Sequence, residues 1–309
     1  VLLDDVAETV PVDNKYYGSN MDRNQKRFAS RLTREQLQMP LMQSILKNSG
    51  GQEELPDPRA LLDVMCFENK FANSTFTAAP TRAAYKATCN QFRDPQTGKP
   101  SPRFQITNHC NVMIVDYTLS QYTPRGWLVN ICPDQPGGGR ILRGPFAAAQ
   151  GRGDGPANNH TATPTSNAAD EPVSYVSNTP DTNTTAGGFF VAAQKYTSNI
   201  VAMNMQGVER GFNDNACDRR TVVHNAKYVA DNIAEEMSKG CISLSDKTNQ
   251  VVRDALAGPG ENKPGKYSGG GLIYSITPAE RANLGNNCGR NVAIDATAPP
   301  VVPHPRPIK

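Results

Sequence analysis

The chain has 309 residues, a formal net charge of +3 and seven cysteines, and 20% of it is charged. At about 150 residues per domain, this length suits roughly two domains or one large β-rich domain, and it can bury roughly three quarters of its unfolded surface without disulfides. The longest apolar stretches, such as Asn111–Asp116, are strand-sized, well short of the roughly 20 residues of a membrane span. The small, dispersed charge contains no Lys/Arg cluster and is no nucleic-acid footprint.

Residues 1–30 are polar and read as an irregular arm, without the basic-then-apolar form of a signal peptide. Because the sequence starts at Val1, a removed leader or a trimmed start is the expectation. From Thr33 the pattern turns helical. Thr33-x-x-Gln36 has the form of a capping box, and Leu37, Leu41, Ile45 and Leu46 recur at helical spacing up to Asn48, before Ser49-Gly50-Gly51 ends the helix. Pro58 opens a second predicted helix through Phe67, and Ala79 to Phe92 reads as a third. Packing of these helices against a main domain is their expected role.

Two β-branched and aromatic runs follow, Val112–Val115 and Gly126–Ile131, joined by a turn holding Pro124-Arg125-Gly126, which predicts a hairpin. Cys110 precedes the first run and Cys132 follows the second, so the open end of the hairpin would bring them side by side as a disulfide. Residues 133–187 are rich in Gly, Pro, Asn and Thr and read as one long loop, of the kind that is functional or disordered. The adhesion-type tripeptide Arg152-Gly-Asp154 within it is short enough to be read as chance. Strand character returns at Gly188–Val191, Thr221–Val223 and Gly271–Ile276. Ala226–Met237 and Val251–Leu256 are helix candidates, and a Pro-rich tail runs from Pro299.

The seven cysteines, Cys66, Cys89, Cys110, Cys132, Cys217, Cys241 and Cys288, include no C-x-x-C pair, and the four histidines show no H-x3-5-H spacing. No metal and no cofactor is therefore expected, and disulfides in an oxidising compartment are the better reading. An odd count leaves one thiol over.

Chemistry concentrates in two segments, Thr221-Val-Val-His224-Asn225 and, seventeen residues beyond the histidine, Ser238-Lys-Gly-Cys241-Ile242. A cysteine nucleophile needs a base to hold it as thiolate, and the preceding glycine lets the backbone turn so that N–H groups can face a developing oxyanion. Spacing alone nevertheless favours a structural histidine at a strand end over a catalytic one.

The segment Met205-Gln-Gly-Val-Glu-Arg-Gly-Phe-Asn-Asp-Asn-Ala216, with Arg219, Val222-Val223-His224, Tyr228-Val229 and Ser238-x-Gly-Cys241, resembles the YkuD-type L,D-transpeptidase catalytic domain. The closer likeness is to its divergent murein L,D-transpeptidase catalytic-like branch. The resemblance extends over roughly residues 75–275 and is strongest over 203–245. It implies a mainly β fold, a mixed β-sheet sandwich with helical additions, behind a helical N-terminal section. The corresponding organisation is an arm and helical section at 1–74, a catalytic domain at 75–290 with an insertion at 133–187, and a tail at 291–309. Lys239 departs from the histidine usual before the motif glycine, Ser243 from an arginine common two residues after the cysteine, and Asn225 from the glycine usual after the first histidine.

By this resemblance Cys241 is the nucleophile, His224 its base, and the Gly240 and Cys241 N–H groups the oxyanion hole. Ser238, Lys239, Arg219 and Ser243 fall to the substrate side, although Arg219 reads equally well as a structural ion pair. The implied partner is a peptidoglycan stem peptide, with no nucleic acid and no membrane span. The implied setting is periplasmic or secreted, and the oligomeric state is left open. The implied reaction is thioester formation followed by transfer to an amine, giving a 3-3 cross-link. Two alternatives stand beside it: an L,D-carboxypeptidase or endopeptidase of the same fold, and a non-catalytic disulfide-stapled wall-binding module. On the same reading Cys241 is the unpaired thiol, Cys66–Cys89 and Cys217–Cys288 complete the disulfides, and residues 133–187 form part of a lid over Cys241.

Overall fold

The computed structural model describes residues 21–79, 99, 101–151, 178–197, 199–230, 238–257 and 269–298. Its helical front begins earlier than the polar arm predicted for residues 1–30. Helix α1 (Arg23–Ala29) starts at Asp22, whose side chain accepts the Asn24 and Gln25 N–H groups while the Gln25 side chain accepts the Asp22 N–H. The capping chemistry was present, but the short apolar pair Phe28 and Ala29 gives too little periodicity to reveal a helix.

Helix α2 (Arg34–Leu37) opens on the expected Thr33–Gln36 box and stops after one turn. Pro40 has no N–H to continue the ladder, so it instead becomes the first residue of α3 (Pro40–Asn48), with Met39 as its cap. The single helix predicted over this stretch is two. Helix α4 (Pro58–Phe71) runs a turn beyond Phe67 because Phe71 still packs into the core.

A short antiparallel pair, β1 (Phe76–Thr77) with β2 (Arg103–Phe104), precedes the main sheet. That sheet holds β3 (Asn111–Asp116), β4 (Gly126–Asn130), β5 (Arg140–Phe146), β6 (Gly188–Thr197), β7 (Val201–Gly207), β8 (Val222–Asn225), β9 (Ile242–Leu244) and β10 (Leu272–Ile276). Their spatial order is β5-β4-β3-β10-β6-β7-β8-β9, with β3–β10 and β8–β9 parallel and the remaining pairs antiparallel. The fold is thus mainly β, a curled mixed sheet behind a helical N-terminal section.

Both faces of the sheet are covered. Val112, Ile114, Phe189 and Tyr274 pack with Leu41, Ile45, Val64 and Phe67 of the front helices. Met113, Val115, Phe190 and Ile273 turn the other way, onto Val252 and Leu256 of α5 (Asp246–Leu256). Two-sided burial explains why these strands read as unbroken apolar runs rather than alternating ones. The edges are managed as well. After β5 the chain folds back so that Ala149 exchanges both backbone hydrogen bonds with Ser243, at 2.9 and 3.2 Å, and covers β9.

The predicted hairpin forms, pairing Val112 with Val129 and Ile114 with Trp127, and Cys110–Cys132 closes its open end. The other pairings do not survive. Cys66 is bonded to Cys288, across 222 residues, which excludes both Cys66–Cys89 and Cys217–Cys288. The reason is the turn after α6 (Pro278–Arg281), which lies over α4: Asp63 accepts the Gly285 and Asn287 N–H groups at 2.9 and 2.8 Å and the Tyr274 hydroxyl at 2.9 Å. Cys217 is also disulfide-bonded.

Three further predictions shift. The loop expected across 133–187 contains β5, an edge strand whose Gly144 and Pro145 and register shifts break the alternation. Residues 226–230 form a turn and a bridge rather than the start of a helix, and 231–237 lie outside the described residues. Helix α5 begins at Asp246, five residues before the predicted Val251. Most of the helix predicted at Ala79–Phe92, the Arg152-Gly-Asp154 tripeptide and the tail from Pro299 lie outside the described residues.

Asp63 gives this architecture a pH signature. It is 1% exposed, and burial raises its carboxyl to about 6, against the pull of its three donors. A carboxyl raised in the folded state binds more protons folded than unfolded between about pH 4 and 6, so stability should fall as pH rises through that window. Urea unfolding of the wild type minus that of Asp63→Asn should decline by roughly 2 kcal/mol from pH 4 to 6. A difference flat across this range would contradict the assignment.

Candidate active site

Strands β8 and β9 build the site. Val222 and Val223 on one, and Ile242 and Leu244 on the other, are buried, and the parallel ladder sets Val223 against Ile242 and His224 against Ser243. Partners in a parallel ladder share a face, and Cys241 lies two residues before Ser243, so Cys241 and His224 share that face too. At about 3.3 Å per residue and 4.8 Å between strands, ideal ladder geometry puts the two about 8 Å apart along the backbone.

The turn into Cys241 depends on Gly240, held at φ +102° in the region that favours glycine. A Cβ there would lie 2.5 Å from the Thr184 carbonyl oxygen and 3.0 Å from the Arg219 guanidinium. Ser238 staples the turn. Its hydroxyl donates to the Cys241 carbonyl at 2.7 Å and accepts the Gly240 N–H at 3.1 Å.

Cys241 is partly exposed and is the free cysteine among the described residues. Its thiol donates to the Arg220 carbonyl at 3.8 Å. Burial pushes the thiol up, while the Val222 N–H and the Arg219 guanidinium draw it down. His224 donates from Nδ1 to the Asn225 carbonyl at 2.7 Å, which leaves Nε2 as the basic nitrogen. Nε2 meets the Ser243 hydroxyl at 3.0 Å, and that hydroxyl meets Tyr228 Oη at 2.9 Å. Burial lowers the His224 pKa, and the Asn225 carbonyl opposes the shift. Cys241 and His224 form no direct hydrogen bond.

The residues expected on the substrate side divide. Lys239 is exposed on the turn and Ser238 holds it from within. Ser243 is fully buried with its hydroxyl on His224, because the two-residue alternation from Cys241 points it under the imidazole; it does not face substrate. Arg219 is turned inward. It donates to the Thr184 carbonyl, and burial lowers its pKa to about 10, against the favourable charges of Cys241 and Asp181. It therefore stays cationic beside the thiol rather than reaching outward.

The Gly-Val-Glu-Arg-Gly-Phe-Asn stretch is scaffold. Glu209, 0% exposed, accepts the Phe189 N–H at 2.7 Å and the Arg290 N–H at 2.6 Å. Asn213 accepts the Glu209 N–H at 2.9 Å and donates to the Gly187 and Phe189 carbonyls at 3.0 and 2.9 Å. Asp214 and Asn215 bind Asn178, where the chain re-enters the described residues, and Gly151, where it leaves them, donates to Thr185 at 2.7 Å. Gly151 lies against the Gly240 turn, and residues 152–177, most of the expected lid, lie outside the described residues. Tyr228 belongs to the stretch that carries the family resemblance but has no site role there, and neither does the Asn225 carbonyl. The His-x-x-x-Tyr spacing was the one visible signal. Among the described residues no group of three His, Cys, Asp or Glu side chains could hold a metal ion.

Cys241, free among the described residues, directly precedes β9, and His224, its Nδ1 held by the Asn225 carbonyl, lies on the neighbouring β8 of the curled mixed sheet. The chain belongs to the L,D-transpeptidase catalytic domain family, whose profile matches residues 85–260, more than half its length. A solved L,D-transpeptidase from Mycobacterium smegmatis is similar over 67% of this chain and 93% of its own, at 14% identity and a TM-score of 0.31. No curated protein matches.

Proposed function

We propose that the protein is a peptidoglycan L,D-transpeptidase with Cys241 as nucleophile. The observation that carries this reading is the state of the thiols: Cys66, Cys110, Cys132, Cys217 and Cys288 are bonded, and Cys241, at the motif position, is free and directly precedes the strand paired with that of His224. Cys241 Sγ attacks the carbonyl at the L-centre of the stem peptide's third residue. The thioester C–S bond forms as the amide to the terminal D-alanine breaks, and His224 Nε2, once the Ser243 hydroxyl turns from it, takes the thiol proton and delivers it to the departing amine. The Gly240 and Cys241 N–H groups receive the oxyanion, which requires Ser238 Oγ to release the Gly240 N–H. A second stem's amine then attacks the thioester, His224 accepts its proton, and a 3-3 cross-link results. Disulfides and a cell-wall substrate fit a periplasmic or secreted protein. Among the described residues no helix is long and apolar enough to cross a membrane.

Incubation with a disaccharide-tetrapeptide tests this. The peptide bearing Cys241 should gain the mass of the disaccharide-tripeptide acyl group, and cross-linked dimer should accumulate. Tripeptide monomer without dimer would instead identify the carboxypeptidase. Unconsumed substrate with unmodified Cys241 would leave the wall-binding module.

A further inference from the structure

The site contains a pair of hydroxyls that nucleophile and base do not themselves require. Ser243 is paired in register with His224, is fully buried, and stands between Nε2 at 3.0 Å and the Tyr228 hydroxyl at 2.9 Å. Tyr228 is half-buried and so connects this chain to the surface.

The two imidazole nitrogens have different kinds of partner. The Asn225 carbonyl can only accept, so Nδ1 keeps its proton throughout. Nε2 must alternate between bare and protonated as His224 takes up and returns a proton. A carbonyl at Nε2 would oppose the bare state and an N–H would oppose the protonated one. A hydroxyl serves both, donating to bare nitrogen or accepting from N–H. With two hydroxyls in series the chain reverses as a unit: Tyr228 to Ser243 to Nε2 when His224 is neutral, and Nε2–H to Ser243 to Tyr228 Oη when it is charged.

Resting on the transpeptidase reading, we propose that Ser243, backed by Tyr228, is a positioning residue that lets His224 hold a proton in a half-buried site. Hydrogen bonds to the charged form are roughly twice as strong as neutral ones, so the pair should favour the imidazolium on balance. Ala202 of β7 is the apolar register partner of His224, Cys241 shares its face with Arg219 beyond, and Asp246 of α5 is held by Asn225 Nδ2 at 2.7 Å.

The test is an NMR titration of the His224 ring, assigned with His224→Gln, in the wild type, Ser243→Ala and Tyr228→Phe. Ser243→Ala should lower the proton affinity of His224 by about three- to tenfold, and Tyr228→Phe should lower it by less. An unshifted or raised midpoint in either folded variant overturns the proposal. Should Ser243→Ala fail to fold, Tyr228→Phe, which removes one partly exposed hydroxyl, decides alone. The readout needs no turnover. Loss of the acyl group on Cys241 would refute the transpeptidase reading separately from any shift at His224.

Discussion

Cys241→Ala should leave no acyl-enzyme and reduce cross-linked product by about 10⁴-fold or more, to the uncatalysed background. The expectation follows from the site's economy. No other free thiol is present among the described residues, so nothing nearby can replace the nucleophile. The fold should not suffer, because the Gly240 turn is held by Ser238 through backbone groups of residues 240 and 241, which alanine retains. His224→Ala should cost about 10²- to 10⁴-fold, the smaller loss expected of a general base. Quantifying dimer and tripeptide by mass spectrometry reads both. A Cys241→Ala protein that retained even a percent of turnover would place the nucleophile elsewhere.

Glu209→Ala should destabilise the protein by about 3–5 kcal/mol, measured as a shift in the urea midpoint at unchanged slope. Glu209 is fully buried and holds three parts of the chain together: its carboxylate accepts the N–H groups of Phe189 on β6 and Arg290 in the C-terminal turn, and its own N–H is held by Asn213. Truncation leaves the buried Phe189 N–H and the part-buried Arg290 N–H unpaired, and removes one of the two carboxylates beside the Arg290 guanidinium, the other being Glu280. Glu209→Gln keeps one acceptor oxygen and should lose less. Because the same stretch anchors Asn178 through Asp214 and Asn215, partial loosening should show first around Asn178. A loss below about 1 kcal/mol for the alanine variant would mean that water reaches the vacated space.

Physical legibility varied from element to element. The hairpin and its disulfide were readable because β-branched runs, a turn and two flanking cysteines lie within one short stretch. The Thr33 cap was readable for the same reason, whereas the break at Pro40 required weighing a missing N–H against an otherwise continuous apolar stripe. Strand β5 was hidden by its glycine, proline and irregular register, since an edge strand needs little alternation to pair. The Cys66–Cys288 bond could not be read at all, because proximity across 222 residues is created by the turn folding over α4.

The same division runs through the site. Sequence by itself determined that one thiol of seven must be left over, and the resemblance to the family, not the spacing, named it as Cys241, with His224 as its partner. Only the tertiary structure decided what surrounds them. Ser243 and Arg219 look like substrate contacts in a linear motif, yet the β8–β9 register turns one beneath the imidazole and burial beside Thr184 turns the other against the thiol. Motif spacing records which residues share a local stretch of chain. Which way each side chain faces is decided by strand pairing and by the segments, distant in sequence, that pack over it.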